Sequence, residues 1–227
     1  MQNVVETKKL ITQSKADTMS FDLDVCAIGD GVKRAEIEAF IKAGYKKSFN
    51  ADISVTMPNL LYIEDNALKA ALGMRGFGQE FFIQQYLDLP VTDYLQIENE
   101  KVKAEQLVEI GSLYSNSNRF TIPLFMVTAV TSFLLGKHFL LLCGTEHVLD
   151  LLAKSGVAYQ KLANADATKL TNKSDDWGSY YLTNPQVVAV NLNNVMKVIA
   201  NNRFYHKLLH RLSDKIDNAC SKMAGKL

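Results

Sequence analysis

The chain has little cysteine, almost no net charge and no repeated or compositionally biased tract, and each shortage removes a class of protein. Three cysteines in 227 residues, Cys26, Cys143 and Cys220, are odd in number and far apart. No spacing among them matches a zinc ligand set or a redox pair, so neither a metal site nor a disulfide framework is expected, and a reducing cytoplasm is the expected compartment. Lys and Arg number 25 against 24 Asp and Glu, which excludes a global field aimed at nucleic acid, although local patches survive such an average. Residues 1–20 are polar and lack an apolar core followed by small residues, so no secretory leader is expected. What remains is 48% hydrophobic and 22% charged, the composition of an ordinary globular protein. A chain of this length buries a sizeable core without metals or disulfides.

The periodicity changes several times along the chain. A short apolar piece, Val25 to Ile28, ends at the turn Gly29-Asp30-Gly31. Ile37, Phe40, Ile41 and Tyr45 then recur at helical spacing and predict an amphipathic helix from Val32 to Lys47. Residues Asn59 to Phe77 read as a hairpin, with Leu60–Ile63 and Leu68–Phe77 as its strands and Glu64-Asp65-Asn66 as its turn. An aromatic-rich run, Phe81 to Leu87, closes at Pro90. A strand is expected over Gln106–Tyr114 with one embedded acid, Glu109, followed by the polar loop Ser115–Arg119.

Phe120–Gly136 runs for 17 residues without a charge, the lower edge of a membrane-spanning length. It contains Pro123 and the hydroxyls of Thr121, Thr128, Thr131 and Ser132, and Lys137 and His138 follow at once. A buried helix feeding a buried strand is the expectation, with a span as the alternative. Phe139–Cys143 reads as that strand, Glu146–Lys154 as a helix stopped by Gly156, Val157–Leu162 and Val187–Leu192 as strands, and Val195–Lys226 as a helical tail. The order fits one α/β domain around a mixed sheet, with residues 1–31 as an N-terminal extension, 32–195 as the domain and 196–227 as a basic amphipathic C-terminal helix.

Four segments, in order, resemble the bacterial thermostable hemolysin family: Leu72-Gly73-Met74-Arg75-Gly76, Phe81–Asp88 before Pro90, Val108–Leu113, and Trp177-Gly178-Ser179-Tyr180-Tyr181. The resemblance covers roughly residues 35–195. That family is similar in layout to the GNAT acyltransferases and particularly to the acyl-homoserine lactone synthases, in which a hairpin strand carries an arginine and the following strand a glutamate. The matching positions are Arg75 and Glu109. Ser112 stands where the lactone synthases have a further arginine. The resemblance implies a GNAT-like mixed central sheet flanked by helices, with an added C-terminal helix. It also implies transfer of an acyl group from a CoA or acyl-carrier-protein thioester to the amine of a small molecule, without a metal. The family name implies instead a membrane-active protein, and a GNAT fold that only binds is a third reading.

Candidate residues follow, each with two readings. A carboxylate at Glu109, inside an apolar strand, is costly unless paired. It is either half of a structural ion pair with Arg75 or the acceptor of the proton an attacking amine must lose. Gly111 suggests a bulge. In GNAT proteins two parallel strands splay at such a point and the acyl-pantetheine arm bonds to the exposed backbone, which at this place is that of Gly111, Ser112 and Leu113. The 115–119 loop opens a helix whose N–H groups and Arg119 suit phosphate. Asn116 and Asn118 tolerate the positive φ for which glycine is usual, and a plain solvated loop is the other reading. Cys143 reads as a buried thiol before a nucleophile, since no histidine is paired with it by sequence. Trp177, Tyr180 and Tyr181 line a substrate pocket or pack the core.

The tail carries Lys197, Arg203, Lys207, Arg211, Lys215, Lys222 and Lys226 against Asp214 and Asp217, with an apolar stripe from Leu208 to Met223. Its readings are contact with an anionic membrane, docking on an acyl carrier protein, or packing on its own domain or on a second subunit of a homodimer.

Overall fold

The computed structural model describes residues 19–171 and 174–227. The first 18 residues of the expected N-terminal extension lie outside that range. A seven-stranded sheet runs in the order β1-β2-β3-β6-β7-β9-β8. Its strands are β1 (Asp22–Ala27), β2 (Asn59–Glu64), β3 (Leu68–Arg75), β6 (Leu107–Ser115), β7 (Phe139–Gly144), β8 (Gln160–Asn164) and β9 (Gln186–Asn191). Two short strands, β4 (Gln96–Ile97) and β5 (Glu100–Lys101), form a separate ribbon. Only β6 and β7 pair in parallel; every other neighbouring pair is antiparallel. A parallel pair needs a crossover, and the uncharged stretch supplies it as α2 (Asn118–Leu134).

Each strand alternates between two faces. Val108 and Ile110 of β6, Leu140 and Leu142 of β7 and Val188 and Val190 of β9 join the larger core with α2. Leu107, Leu141 and Ala189 face the other way, against the segment 81–95. On that second face α1 (Gly31–Phe49) also packs, through Ile37, Ile41 and Tyr45. Inside α2, Thr128 and Ser132 donate to the carbonyls of Leu124 and Thr128, both at 2.8 Å. Back-bonding of this kind lets hydroxyls sit in a buried helix. No helix among the described residues is long and apolar enough to cross a membrane.

Two boundaries differ from the sequence reading. Residues 22–27, set apart there within an extension, are β1 and pair along their whole length with β2. Leu23 and Val25 alternate with Asp22 and Asp24, the pattern of an edge strand with one buried face. The single tail helix is three helices: α4 (Leu192–Asn201), α5 (Arg203–Arg211) and α6 (Ser213–Met223). Asn202 breaks the run by accepting from the N–H groups of Phe204 and Tyr205, an N-cap for α5. The tail's apolar stripe lies in the core: Leu209, Leu212, Ile216, Ala219 and Met223 are buried against α2 and β1. Lys222 and Asn218 both donate to Asp24 of β1. Packing on its own domain is what this stripe does.

Candidate active site

The site begins where β3 and β6 lie side by side. Register places Arg75 directly opposite Glu109, and Nη1 of Arg75 lies 3.3 Å from Oε2 of Glu109. Glu109 is only 1% exposed. Its Oε2 also accepts from the Phe82 N–H at 2.9 Å, and its Oε1 from the Ile83 N–H at 2.8 Å. A carboxylate offers about four acceptor positions, so three are filled and one on Oε1 stays open. Burial pushes the Glu109 carboxyl up to about 7, against the opposing pull of the Phe82 amide, Arg75 and the Ile83 amide. Arg75 is held in turn by the Glu80 carbonyl at 3.1 Å and by the carbonyl and hydroxyl of Thr56 at 3.3 and 3.2 Å.

Beyond this pair the sheet opens. β6 pairs with β7 from Leu107 with Phe139 to Ile110 with Leu142, and no further. On its other side Gly111 lies opposite Gly73, but Tyr114 lies opposite Ala71, so β6 carries one extra residue. Ser112 absorbs it at φ 49°, a left-handed backbone unusual for a side chain other than Asn or Asp. A β-bulge bends its strand, and here β6 swings away from β7. Gly73 and Gly111 leave room for Met57, whose side chain a Cβ at either position would strike.

The opening forms a cleft of about 810 Å³. Glu109, Gly111, Ser112, Leu113 and Cys143 line its base, and Ser115 to Asn118 its upper edge at the start of α2. Arg119 is elsewhere. It is 66% exposed on its side chain, lies 4.0 Å from Asp65 at the hairpin turn, and does not line the cleft. The N-terminus of α3 (Glu146–Lys154) adds Thr145 and His147.

An aromatic wall closes the side beneath α1. Trp177 lies 6.0 Å from Phe82 and 5.3 Å from Tyr180, and Tyr180 lies 5.2 Å from Phe49, ring centre to ring centre. The wall is anchored by an isolated bridge between Asp52 and Asp176 and by the Ser179 N–H, which donates to the Phe49 carbonyl at 2.8 Å. Tyr181 stands behind it, its hydroxyl 2.6 Å from that of Tyr86. Cys143 sits at the foot of the wall; Tyr180 donates to its carbonyl at 3.3 Å. Burial pushes the Cys143 thiol up to about 12, which disfavours the thiolate that a nucleophile needs.

A second, apolar cavity of about 80 Å³ lies on the opposite face of the sheet, lined by Phe125, Met126, Leu140 and Val190 among others. Ile110, Leu142 and Leu151 line both it and the cleft. Ile110 and Leu142 form the last paired rung before β6 and β7 part, so the two voids lie on either side of the sheet at that point.

The structure thus gathers Glu109, Gly111, Ser112, Leu113, Asn116, Asn118, Cys143, Trp177 and Tyr180 around one opening, with Arg75 beneath Glu109, Tyr181 behind the wall and Arg119 outside. Sequence reasoning missed the Phe82 and Ile83 amides, Thr56 and Met57. All four lie in irregular segments with no periodic signal. Among the described residues no group of three or more His, Cys, Asp or Glu side chains is placed to hold a metal ion.

A family model described as thermostable hemolysin matches residues 29–196. A search of curated proteins gives no match. Solved structures similar in fold include the AHL (acyl-homoserine lactone) synthase LasI, with 11% identity, TM-score 0.51 and coverage of 78% of this chain and 92% of that one. BjaI, a CoA-dependent acyl-homoserine lactone synthase solved with SAM and isopentyl-CoA, has 8% identity, TM-score 0.52 and coverages of 89% and 98%. FeeM, an N-acyl amino acid synthase from uncultured soil microbes, has 9% identity, TM-score 0.53 and coverages of 82% and 99%. At these identities the likeness is one of fold alone: a mixed α/β sheet flanked by helices, as in these synthases.

Proposed function

The chain belongs to the thermostable hemolysin family, and on that premise we propose that it is an N-acyltransferase. It would move an acyl group from a CoA or carrier-protein thioester to the amine of a small molecule in the cytoplasm. The observation that carries this reading is the parting of β6 from β7 directly above the buried Arg75–Glu109 pair. Parted strands leave backbone N–H and C=O groups without ladder partners, and such groups need hydrogen bonds. An extended pantetheine arm with its two amides supplies them. The phosphates of the donor lie toward the start of α2, where N–H groups and the helix dipole favour anions.

The acyl chain passes beyond the Ile110–Leu142 rung, where β6 and β7 part, toward the apolar cavity, which suits a short or medium aliphatic chain because it is small and lined by hydrocarbon. The amine approaches from the aromatic side. Its nitrogen attacks the thioester carbonyl, the C–N bond forms, and the C–S bond breaks as the carrier thiol leaves. Strand N–H groups at the parting hold the carbonyl oxygen as it gains charge. The proton lost by the amine goes to the open position on Oε1 of Glu109, directly or through one water. A group near pKa 7 accepts and returns a proton well at neutral pH.

The uncharged stretch and the tail's apolar stripe, two features behind the lytic reading, are both packed in the core. The test is a thermal-shift and mass-spectrometric screen of acyl-CoA and acyl-carrier-protein donors from two to twelve carbons, about the range a compact pocket admits. Stabilisation by a subset of chain lengths, with free thiol released when amines are added, is the expected result. Release of dye from liposomes without any thioester, and no donor binding, would overturn it.

A further inference from the structure

We infer that the acceptor is a primary amine with an apolar or aromatic body and no carboxylate, of the arylalkylamine kind; this rests on the acyltransferase reading of the same cleft. The charges and rings of the cleft point to it. Its charged lining is acidic: Glu109 at the base, Asp175 on the rim and Glu146 at the start of α3. Among the described residues no lysine or arginine lines it. Arg75 lies beneath Glu109, with its guanidinium engaged by Glu80, Thr56 and Glu109.

An α-amino acid entering here would bring a carboxylate beside carboxylates with no described counter-ion, and a charge taken from water unpaired is costly. An ammonium meets the opposite situation. It finds acids ahead of it and, on the way, the faces and edges of Phe82, Trp177 and Phe49, none of them fully buried. Aromatic faces attract cations and give a flat apolar body area to stack on. Tyr180 and Tyr45 back these rings, 6.2 Å apart with 27° between their planes. Asp175 is fixed as well, accepting from the Ser54 N–H at 3.0 Å. The ammonium must lose its proton before attack, and Glu109 stands at the end of the path.

Calorimetric titration of the full chain, without any thioester, separates the possibilities. 2-Phenylethylamine and L-phenylalanine differ by one carboxylate. The amine should bind at least about tenfold tighter, and 3-phenylpropionate should bind most weakly of the three. Trp177→Ala should weaken the amine by about fivefold or more, as loss of a cation–π and stacking contact does, while Trp177→Phe keeps most of the affinity. If Trp177→Ala does not fold, Asp175→Asn on the rim serves: it should narrow the preference for amine over amino acid. Equal or tighter binding of L-phenylalanine, or an amine affinity unchanged by Trp177→Ala together with a preference unchanged by Asp175→Asn, overturns the inference. Donor binding is scored separately with acyl-CoA. Donors that bind while amines do not would sink the acceptor assignment alone, and amines that bind while no thioester does would sink the acyltransferase reading alone.

Discussion

The two faces of the central sheet are made from the same alternating strands and do opposite work. Under α2, α4, α5 and α6 the face is closed, and even the basic tail spends its apolar stripe on it. The other face holds the buried ion pair, the aromatic wall and the cleft. Single strands serve both: Val108 and Ile110 of β6 point into the closed core, and Leu107 and Glu109 point to the open side. Stability is thus concentrated on the packed face, which holds the small apolar cavity, and this leaves the open face free to carry a buried acid, an irregular wall and a bulge. Substitutions on the closed face should be read first in folding, and those on the open face first in chemistry.

The comparison breaks most severely if the tail is dispensable. Deleting residues 205–227 removes Leu209, Leu212, Ile216 and Met223, all at 0–1% exposure. Emptying even one such site costs about 2–5 kcal/mol, against a total of about 5–15 kcal/mol for a domain. The truncated chain should lose its cooperative urea transition; a soluble, cooperatively melting product would show that the tail is an accessory.

Glu109 makes the open face pH-sensitive. Its folded pKa of about 7 lies above the ordinary 4.5, so the folded state holds more protons than the unfolded one between those values. Its contribution is therefore present in full below about pH 4.5 and lost as pH rises through 7, a difference on the order of 3 kcal/mol. Urea melts of wild type and Glu109→Gln from pH 4.5 to 8 should converge on or cross in the sense of wild type weakening as pH rises. A wild type that gains on the variant over that range would mean that Arg75 and the two amides outweigh burial.

Gly73→Ala sharpens the boundary between the faces. The new Cβ would collide with Cβ and Cγ of Met57, and overpacking of this kind costs about 1–3 kcal/mol. Displaced Met57 should also disturb Gly111 at the base of the cleft, so donor affinity should fall with stability; a stability loss with unchanged donor binding would detach Met57 from the site. Arg119→Ala is the small-effect control. The side chain is exposed and outside the cleft, so the change should stay within about 0.5 kcal/mol in stability and leave donor titrations unchanged. A marked loss of donor affinity would bring the phosphates to Arg119.

Much of this division was legible in the residues. The helical period of Ile37, Ile41 and Tyr45 located α1 to within two residues of Gly31–Phe49, and a lone acid in an apolar strand with a lone arginine in the hairpin strand located the ion pair. Gly111 announced the bulge, although the residue that takes the left-handed backbone is Ser112. The tail's stripe was visible, but amphipathicity says only that a face is covered, not by what. Less was visible where structure is irregular. The turns over Phe82–Tyr86 and Val91–Tyr94 are 3₁₀, too short to print a period, and the amides that hold Glu109 come from the first of them. β1 spans six residues with two aspartates, a pattern read as polar until β2 is seen beside it. The position of Arg119 depends on how a helix start rotates against a hairpin turn, which no local signal encodes.

The central claim is that Glu109 takes the amine's proton above the buried pair, and single-turnover acyl transfer against pH measures it most directly. With a bound donor and saturating amine, the wild-type rate should rise through an apparent pKa near 7. Glu109→Gln, shown folded by its own urea melt, should be slower by about 10²–10⁴-fold and lose that inflection. A folded Glu109→Gln protein that transfers acyl groups at the wild-type rate, with the same pH profile, would contradict the account and leave Glu109 as a strap that fixes Phe82 and Ile83 to the sheet.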